Sequence, residues 1–348
     1  MSERTAVVVG AHGVVGSNLI DHLQEAGGWQ VIGVSRRGGT DAPAMRHVAV
    51  DLTDRDATRA VSAELSTATH VFYAAYQDRP TWSELVGPNV AMLANVLDVV
   101  AAAPALEHVS LMQGYKVYGA HLGPFKTPAR EDDPPHLPPE FNVDQQQLLE
   151  RSHAEHGWTW SAIRPSVVAG DALGNPMNLA MVIAVYASIS RELGVPLRFP
   201  GAPGAYGSLL EMTDAGLLAA ATVWAATDPA AANQAFNIAN GDLFRWSELW
   251  PKIAEMFDLE TAPPLPMSLT DTMADKEPLW DAMRDKYALQ TSYEEVSSWA
   301  FGDFVFSWDY DMFADTSKAR RFGFHQYVDT TAMFERRFAG LRASHIIP

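Results

Sequence analysis

Thr5-Ala-Val-Val-Val-Gly10-Ala-His-Gly13-Val-Val-Gly16-Ser-Asn-Leu-Ile20 is the stretch that decides the fold. The β-branched run Ala6–Val9 reads as a buried strand, and apolar residues recur at helical spacing from Gly16 to Glu25. Between them stand Gly10, Gly13 and Gly16, three residues apart. In a strand–turn–helix setting such glycines have distinct tasks. Gly10 permits the tight turn, Gly13 lets a pyrophosphate approach the backbone, and Gly16 allows close helix–strand contact. The helix N-terminus then offers free N–H groups and a partial positive charge to phosphate. Gly10, His12, Gly13, Val14, Val15 and Gly16 are therefore candidate dinucleotide-binding residues.

Outward from this loop, short β-branched runs recur at Val31–Ser35, His47–Leu52, His70–Ala75, His108–Gln113 and Trp160–Pro165. Helical stretches fall between them at Arg55–Leu65, Val90–Ala103 and Asp144–His156. Near-continuous apolar strands alternating with amphipathic helices imply right-handed crossovers and a parallel sheet. The expected class is α/β, a doubly wound Rossmann-type sheet over residues 1–170, completed by later segments. Past Pro165 the pattern changes. Proline- and glycine-rich loops separate expected helices at Leu179–Leu193, Asp214–Ala226, Trp246–Phe257 and Met267–Lys286, with one strand at Ala235–Ala239. Residues 171–348 thus read as a smaller, mostly helical substrate lobe, whose tryptophans (Trp224, Trp246, Trp250, Trp280, Trp299, Trp308) supply its core and part of a pocket wall.

Composition narrows the partners. The 348 residues include 25 Lys+Arg and 42 Asp+Glu, a net charge of −17 that offers no basic stripe for nucleic acid. With no cysteine, disulfides, thiolate metal sites and cysteine nucleophiles are excluded. The histidines form no His-x-x-x-His pair, so no metal is expected. The N-terminus shows no secretory pattern, and the apolar run Leu179–Ile189 is shorter than the roughly 20 residues a bilayer requires. A cytoplasmic location without membrane partner is the expectation.

The second strand ends in Ser35-Arg36-Arg37, where an NAD-preferring site would place a carboxylate against the ribose 2′-hydroxyl. A hydroxyl and two guanidiniums suit a 2′-phosphate instead, so NADPH/NADP+ is the expected cofactor. Asp51 and Leu52 resemble the adenine-side pair of the short-chain dehydrogenase/reductase superfamily, which implies a hydrogen-bond acceptor and an apolar wall for the adenine. Ala74 and Ala75 are small enough for the dinucleotide to lie close. The glycine spacing itself is the short-chain dehydrogenase/reductase variant, yet no Tyr-x-x-x-Lys stands at the place usual for that superfamily.

Leu111-Met-Gln-Gly-Tyr-Lys-Val-Tyr-Gly119 puts Lys116 just past the fifth strand. That arrangement resembles the atypical short-chain reductases of the progesterone 5β-reductase/iridoid synthase family. Further matching segments include Ser35–Arg37, Gly123–Lys126, Arg164-Pro165, Pro176–Leu179, Val185–Ala187, Phe236–Asp242, Lys276–Trp280, Phe301–Asp303 and Ile346–Pro348. The resemblance implies NADPH-dependent 1,4-hydride addition to an activated C=C bond, with negative charge moving to a carbonyl oxygen that needs a donor. Lys116 is the catalytic candidate beside the cofactor, and Gln113, Pro165, Ser166, Val167 and Val168 are candidate cofactor neighbours. The family's donor is a tyrosine in an Asn-Phe-Tyr-Tyr-Asp segment; here that segment reads Glu140-Phe-Asn-Val-Asp144, with neither tyrosine. Tyr118 shares a face with Lys116 if the backbone stays extended, which makes it the second catalytic candidate. Asn142 and Val143 are candidate substrate contacts, as are Met177 and Met181 on the channel into the second lobe. Alternatives that stay open are direct carbonyl (1,2) reduction of ketones or aldehydes, sugar-nucleotide epimerase or dehydratase chemistry, and a catalytically silent dinucleotide-binding protein. A homodimer is also open, since relatives commonly dimerise.

Overall fold

A computed structural model of the chain describes residues 4–101, 103–170, 174 and 177–348. Met1–Glu3, Ala102 at the end of an expected helix, and Pro176 of the Pro176–Leu179 match lie outside them. Two compact units appear. One comprises the described parts of Met1–Ser166 with Ala215–Ile238 and Asp315–His325; the other comprises those of Val167–Asp214, Ala239–Ala314 and Gln326–Pro348. The division expected at residue 170 thus falls at 166, and two later segments return to the first unit.

The first unit is a seven-stranded sheet, parallel throughout. Its strands are β1 (Arg4–Val9), β2 (Trp29–Ser35), β3 (Met45–Ala49), β4 (His70–Tyr73), β5 (His108–Met112), β6 (Thr159–Pro165) and the later strand Gln234–Ile238. The spatial order is Gln234–Ile238, β6, β5, β4, β1, β2, β3. The strand expected at His47–Leu52 starts and ends earlier, and the one expected within the helical lobe completes this sheet instead.

Alternation along the strands sorts the side chains into two cores. Val7, Val9, Val71 and Val109 face one side, where Leu93, Val96 and Leu97 of a helix join them. Ala6, Val8, Val31 and Phe72 face the other, against Leu19, Ile20 and Leu23 and the small residues Ala219 and Ala226. The flanking helices are α1 (Val14–Ala26), α2 (Arg55–Ala60), α3 (Ser62–Leu65), α4 (Trp82–Val100) and α5 (Phe141–His156), together with Ala215–Thr227. The helix expected from Asp214 therefore belongs to this sheet. Trp224 goes with it, packing on Phe236 and Phe324 rather than in a substrate lobe.

At the beginnings of β4 and β5 the sheet buries two adjacent histidines, His70 and His108, each 2 % exposed. His108 bonds the hydroxyls of Thr159 (2.8 Å) and Ser161 (3.0 Å), and His70 bonds that of Thr69 (2.9 Å). Burial pushes His70 down from 6.5 to about 4, with the Arg4 charge adding to the effect. Burial pushes His108 to about 3, with His70 adding. Both are neutral in the fold, so below pH 6.5 the unfolded chain binds protons that the folded chain refuses, and stability falls as pH falls. The expected loss is about 2 kcal/mol per histidine by pH 5. Guanidinium midpoints at pH 7, 6 and 5 check this: His70→Gln with His108→Gln should flatten the slope, and an unchanged slope would exclude the pair as its source.

The second unit is mainly helical, with Leu179–Glu192, Trp246–Glu255, Glu277–Tyr287, Trp299–Phe306 and Thr330–Ala343 as its longer helices. Phe199, Trp246, Trp250 and Phe306 form one aromatic cluster with centroids 5.2–5.9 Å apart. The helix expected at Met267–Lys286 is two, Leu269–Thr272 and Glu277–Tyr287. Among the described residues no helix is long and apolar enough to cross a membrane.

Candidate active site

Strand order reverses between β1 and β4, and open parallel sheets bind ligands outside the carboxyl ends of their strands at such a point. Gly10 follows β1 there with φ +91°, and a Cβ on it would stand 2.8 Å from the Ala74 carbonyl group and 2.9 Å from the Ala75 nitrogen. A Cβ on Gly16 would stand 2.2 Å from the Gly10 oxygen. Gly13 is the N-cap of α1, without a side-chain cap and with no acidic residue in the first turn. An uncapped, uncontested helix start behind two close backbone approaches fits a pyrophosphate.

Around it, Arg36 and Arg37 are exposed and make no ion pair among the described residues, whereas Ser35 donates its hydroxyl to the Arg37 carbonyl at 2.7 Å. The Thr53 hydroxyl and N–H hold the Asp51 carboxyl below its usual range, and Arg36 adds to the effect. Leu52 is buried, and its carbonyl is fixed by Asn95 at 2.8 Å.

Lys116 lies on a short 3-10 helix, Tyr115–Tyr118, that begins after Gly114 and closes at Gly119 with φ +80°. Its ammonium sits 4.9 Å from the Trp82 ring centre and 5.5 Å from that of Tyr76. Phe141 packs on Tyr76, and His121 meets Trp82 edge-on. Both ring platforms are locally fixed. Thr81 and Glu84 form a capping box that starts α4 at Trp82. Asn89 brackets Gln77 through both its N–H and its carbonyl, which anchors the segment carrying Tyr76. Burial lowers the Lys116 pKa, while Glu140 and Asp78 oppose the shift. Burial also pushes His121 to about 4, with the Lys116 charge contributing. The site therefore holds one ammonium against two aromatic rings, with the Glu140 and Asp78 carboxylates near enough to favour its charged form.

Glu140, buried, caps α5 and accepts from Asn142 Nδ2 at 2.7 Å and from the Val143 N–H at 3.2 Å. Asn142 is therefore held by its neighbour, and Val143 is half-buried beside it. The 3-10 turn corrects the expectation for Tyr118: the backbone is not extended, so Lys116 and Tyr118 do not share a face. Tyr118 hydrogen-bonds Asn237 (2.7 Å) and accepts from Arg164 (2.9 Å), and burial raises its pKa to about 12. It is a poorly acidic packing residue, not a free donor. Gln113 is likewise engaged at both ends, donating to the Asn142 carbonyl (2.8 Å) and accepting from Arg164 (3.0 Å).

Pro165 ends β6 and Ser166 follows it, both buried. Val167 and Val168 belong to the second unit, in a short strand paired with Met212–Asp214. There too Met181 is 3 % exposed within the core helix Leu179–Glu192, while Met177 is 39 % exposed just before it. The structure thus gathers the glycine loop, Ser35–Arg37, Asp51–Leu52, Ala74–Ala75, Lys116 and Asn142 in the sheet unit. Sequence reading missed Tyr76, Trp82 and Glu140. The Thr81-x-x-Glu84 box was the one local signal for Trp82.

A seven-stranded doubly wound sheet with this glycine loop defines an extended short-chain dehydrogenase/reductase-type Rossmann protein. The chain belongs to the PRISE-like Rossmann-fold family, whose domain matches residues 50–348. It is 34 % identical to an (S)-8-oxocitronellyl enol synthase of Nepeta racemosa, across 99 % of this chain and 91 % of that one. It is 33 % identical to the 3-oxo-Δ4,5-steroid 5β-reductase of Arabidopsis thaliana, across 99 % and 94 %. Among solved structures it resembles the UDP-glucose 4-epimerase of Thermotoga maritima (TM-score 0.70, 17 % identity, 98 % and 99 % coverage). It also resembles that of Thermus thermophilus in complex with NAD (0.66, 17 %, 97 % and 99 %). At those identities the likeness is one of fold.

Proposed function

We infer that the protein is an NADPH-dependent reductase of activated C=C bonds, acting by 1,4-addition to enones. The observation that carries this is the ammonium of Lys116, boxed by Tyr76 and Trp82 past the same carboxyl end of the sheet as the uncapped glycine loop. Membership of a family that includes a steroid 5β-reductase supports it. Gly10–Gly16 would hold the pyrophosphate, Arg36 and Arg37 the 2′-phosphate, and Asp51 with Leu52 the adenine. Bound there, the cofactor supplies hydride to the carbon β to the substrate carbonyl.

Lys116 then faces the charge that collects on the carbonyl oxygen, in a partly buried box where a fixed cation counts for more than in water. Asn142, steadied by Glu140, offers a second, neutral N–H at the family's tyrosine position. Neither an amide nor the engaged Tyr118 hydroxyl readily releases a proton, so water protonates the α carbon.

The test is NADPH consumption followed at the nicotinamide absorbance band with small enones, each paired with its saturated ketone, and products assigned by mass and NMR. A saturated ketone product is expected from each enone. An allylic alcohol, or turnover of saturated ketones alone, would replace this reading with carbonyl reduction.

A further inference from the structure

His12 stands inside the glycine loop, and its ring reaches across to the loop after β2. Its Nε2 lies 3.0 Å from the Arg37 carbonyl and 3.0 Å from that of Gly38. Both partners are acceptors, so Nε2 carries the proton and donates to the pair. The ring stacks on His47, centroids 5.5 Å apart and planes 9° from parallel. His47 is itself tied down, since its backbone N–H donates to Asp41 at 2.8 Å. Gly39 lies so close beneath His47 that a Cβ there would stand 2.4 Å from the ring. The Arg37 carbonyl accepts a second bond, from the Ser35 hydroxyl. The backbone of residues 37 and 38 is thus fixed at several points, while the side chains of Arg36 and Arg37 stay exposed and without ion-pair partners among the described residues.

We propose that His12 is a specificity-determining positioning residue: it ties the phosphate loop to the loop bearing the two arginines and so presets them for the 2′-phosphate of an adenine dinucleotide. This rests on the dinucleotide site proposed above. A loop held before binding loses less entropy when the phosphate arrives. The gain is specific to the phosphorylated dinucleotide, because the arginines have no second target on an unphosphorylated ribose. His12 acts through the backbone it holds, so its effect requires the arginines.

Dissociation constants for NADPH and NADH, read from nucleotide fluorescence without any substrate, test this. The proteins are wild type, His12→Ala, His12→Gln, Arg36→Ala/Arg37→Ala and the triple variant. His12→Ala should weaken NADPH about tenfold and leave NADH unchanged. His12→Gln keeps an N–H at similar reach and should restore most of the loss. In the Arg36→Ala/Arg37→Ala background His12→Ala should change nothing further, the signature of coupled residues. An equal loss for both dinucleotides, or a His12→Ala effect that persists without the arginines, overturns the proposal while sparing the site. Failure of wild type to bind NADPH overturns both.

Discussion

Lys116→Met is expected to lower turnover by about 10²–10³-fold, the loss seen when one preset oxyanion donor is removed from a dry site. Methionine keeps the length and apolar stem, so it still fills the space beside the Trp82 and Tyr76 rings. It gives up a cation–π contact but also relieves a buried charge, so the unfolding midpoint should barely move. NADPH affinity should change only a few-fold. The wild-type pH profile carries a second, independent signature. The charged ammonium is the working form, and burial lowers its pKa from 10.5. Activity present at lower pH is therefore lost as pH rises through a value below the ordinary lysine range. Glu140 is the first charge opposing that shift, so Glu140→Gln should move the alkaline limb further down. A Lys116→Met enzyme of wild-type turnover would remove the residue from the mechanism.

What could be read in advance follows from where each determinant lies. Strands such as Ala6–Val9 are buried on both faces, and a run of valines can satisfy only that environment, so the central sheet was legible. The glycine loop was legible because turn, close approach and helix start are consecutive in sequence. Gln234–Ile238 announced itself as a strand, but its place beside β6 is a matter of pairing that no local pattern encodes. The early start of α4 was hidden behind Pro88, which stands within the helix, and with it went Trp82. Lys116 was legible from its segment, whereas its aromatic box comes from the loop after β4 and the first turn of α4. The bend that separates Lys116 from Tyr118 had a signal in Gly114 and Gly119, which bracket the turn and close it in a left-handed conformation at Gly119.

The lattice around Arg164 was illegible for the same reason, and it is where a substitution should do most damage to the architecture. Arg164 is 7 % exposed on β6. It donates to Gln113 Oε1 (3.0 Å), the Tyr118 hydroxyl (2.9 Å), the Glu131 carbonyl (3.2 Å) and Gln146 Oε1 (3.0 Å). Gln113 and Tyr118 flank the turn that carries Lys116, and Gln113 continues to the Asn142 carbonyl. One guanidinium therefore sets both residues that the proposed chemistry uses. All four acceptors are neutral, but Arg164→Met strands the two half-buried glutamine oxygens, each deprived of its donor, and withdraws a positive charge that favours the Glu131 carboxylate. The expected cost is about 2–4 kcal/mol in urea unfolding. Turnover should fall further than stability explains, with NADPH affinity retained, because the turn bearing Lys116 loses its anchor at both ends. Arg164→Lys should not rescue either property, since a single ammonium cannot span a fork that reaches four oxygens. Hydrogen exchange at residues 113–118 and 142–146 locates the effect: faster exchange confined to those segments fits a clamp. A lysine variant with the wild-type midpoint and turnover would show instead that only the charge at 164 matters.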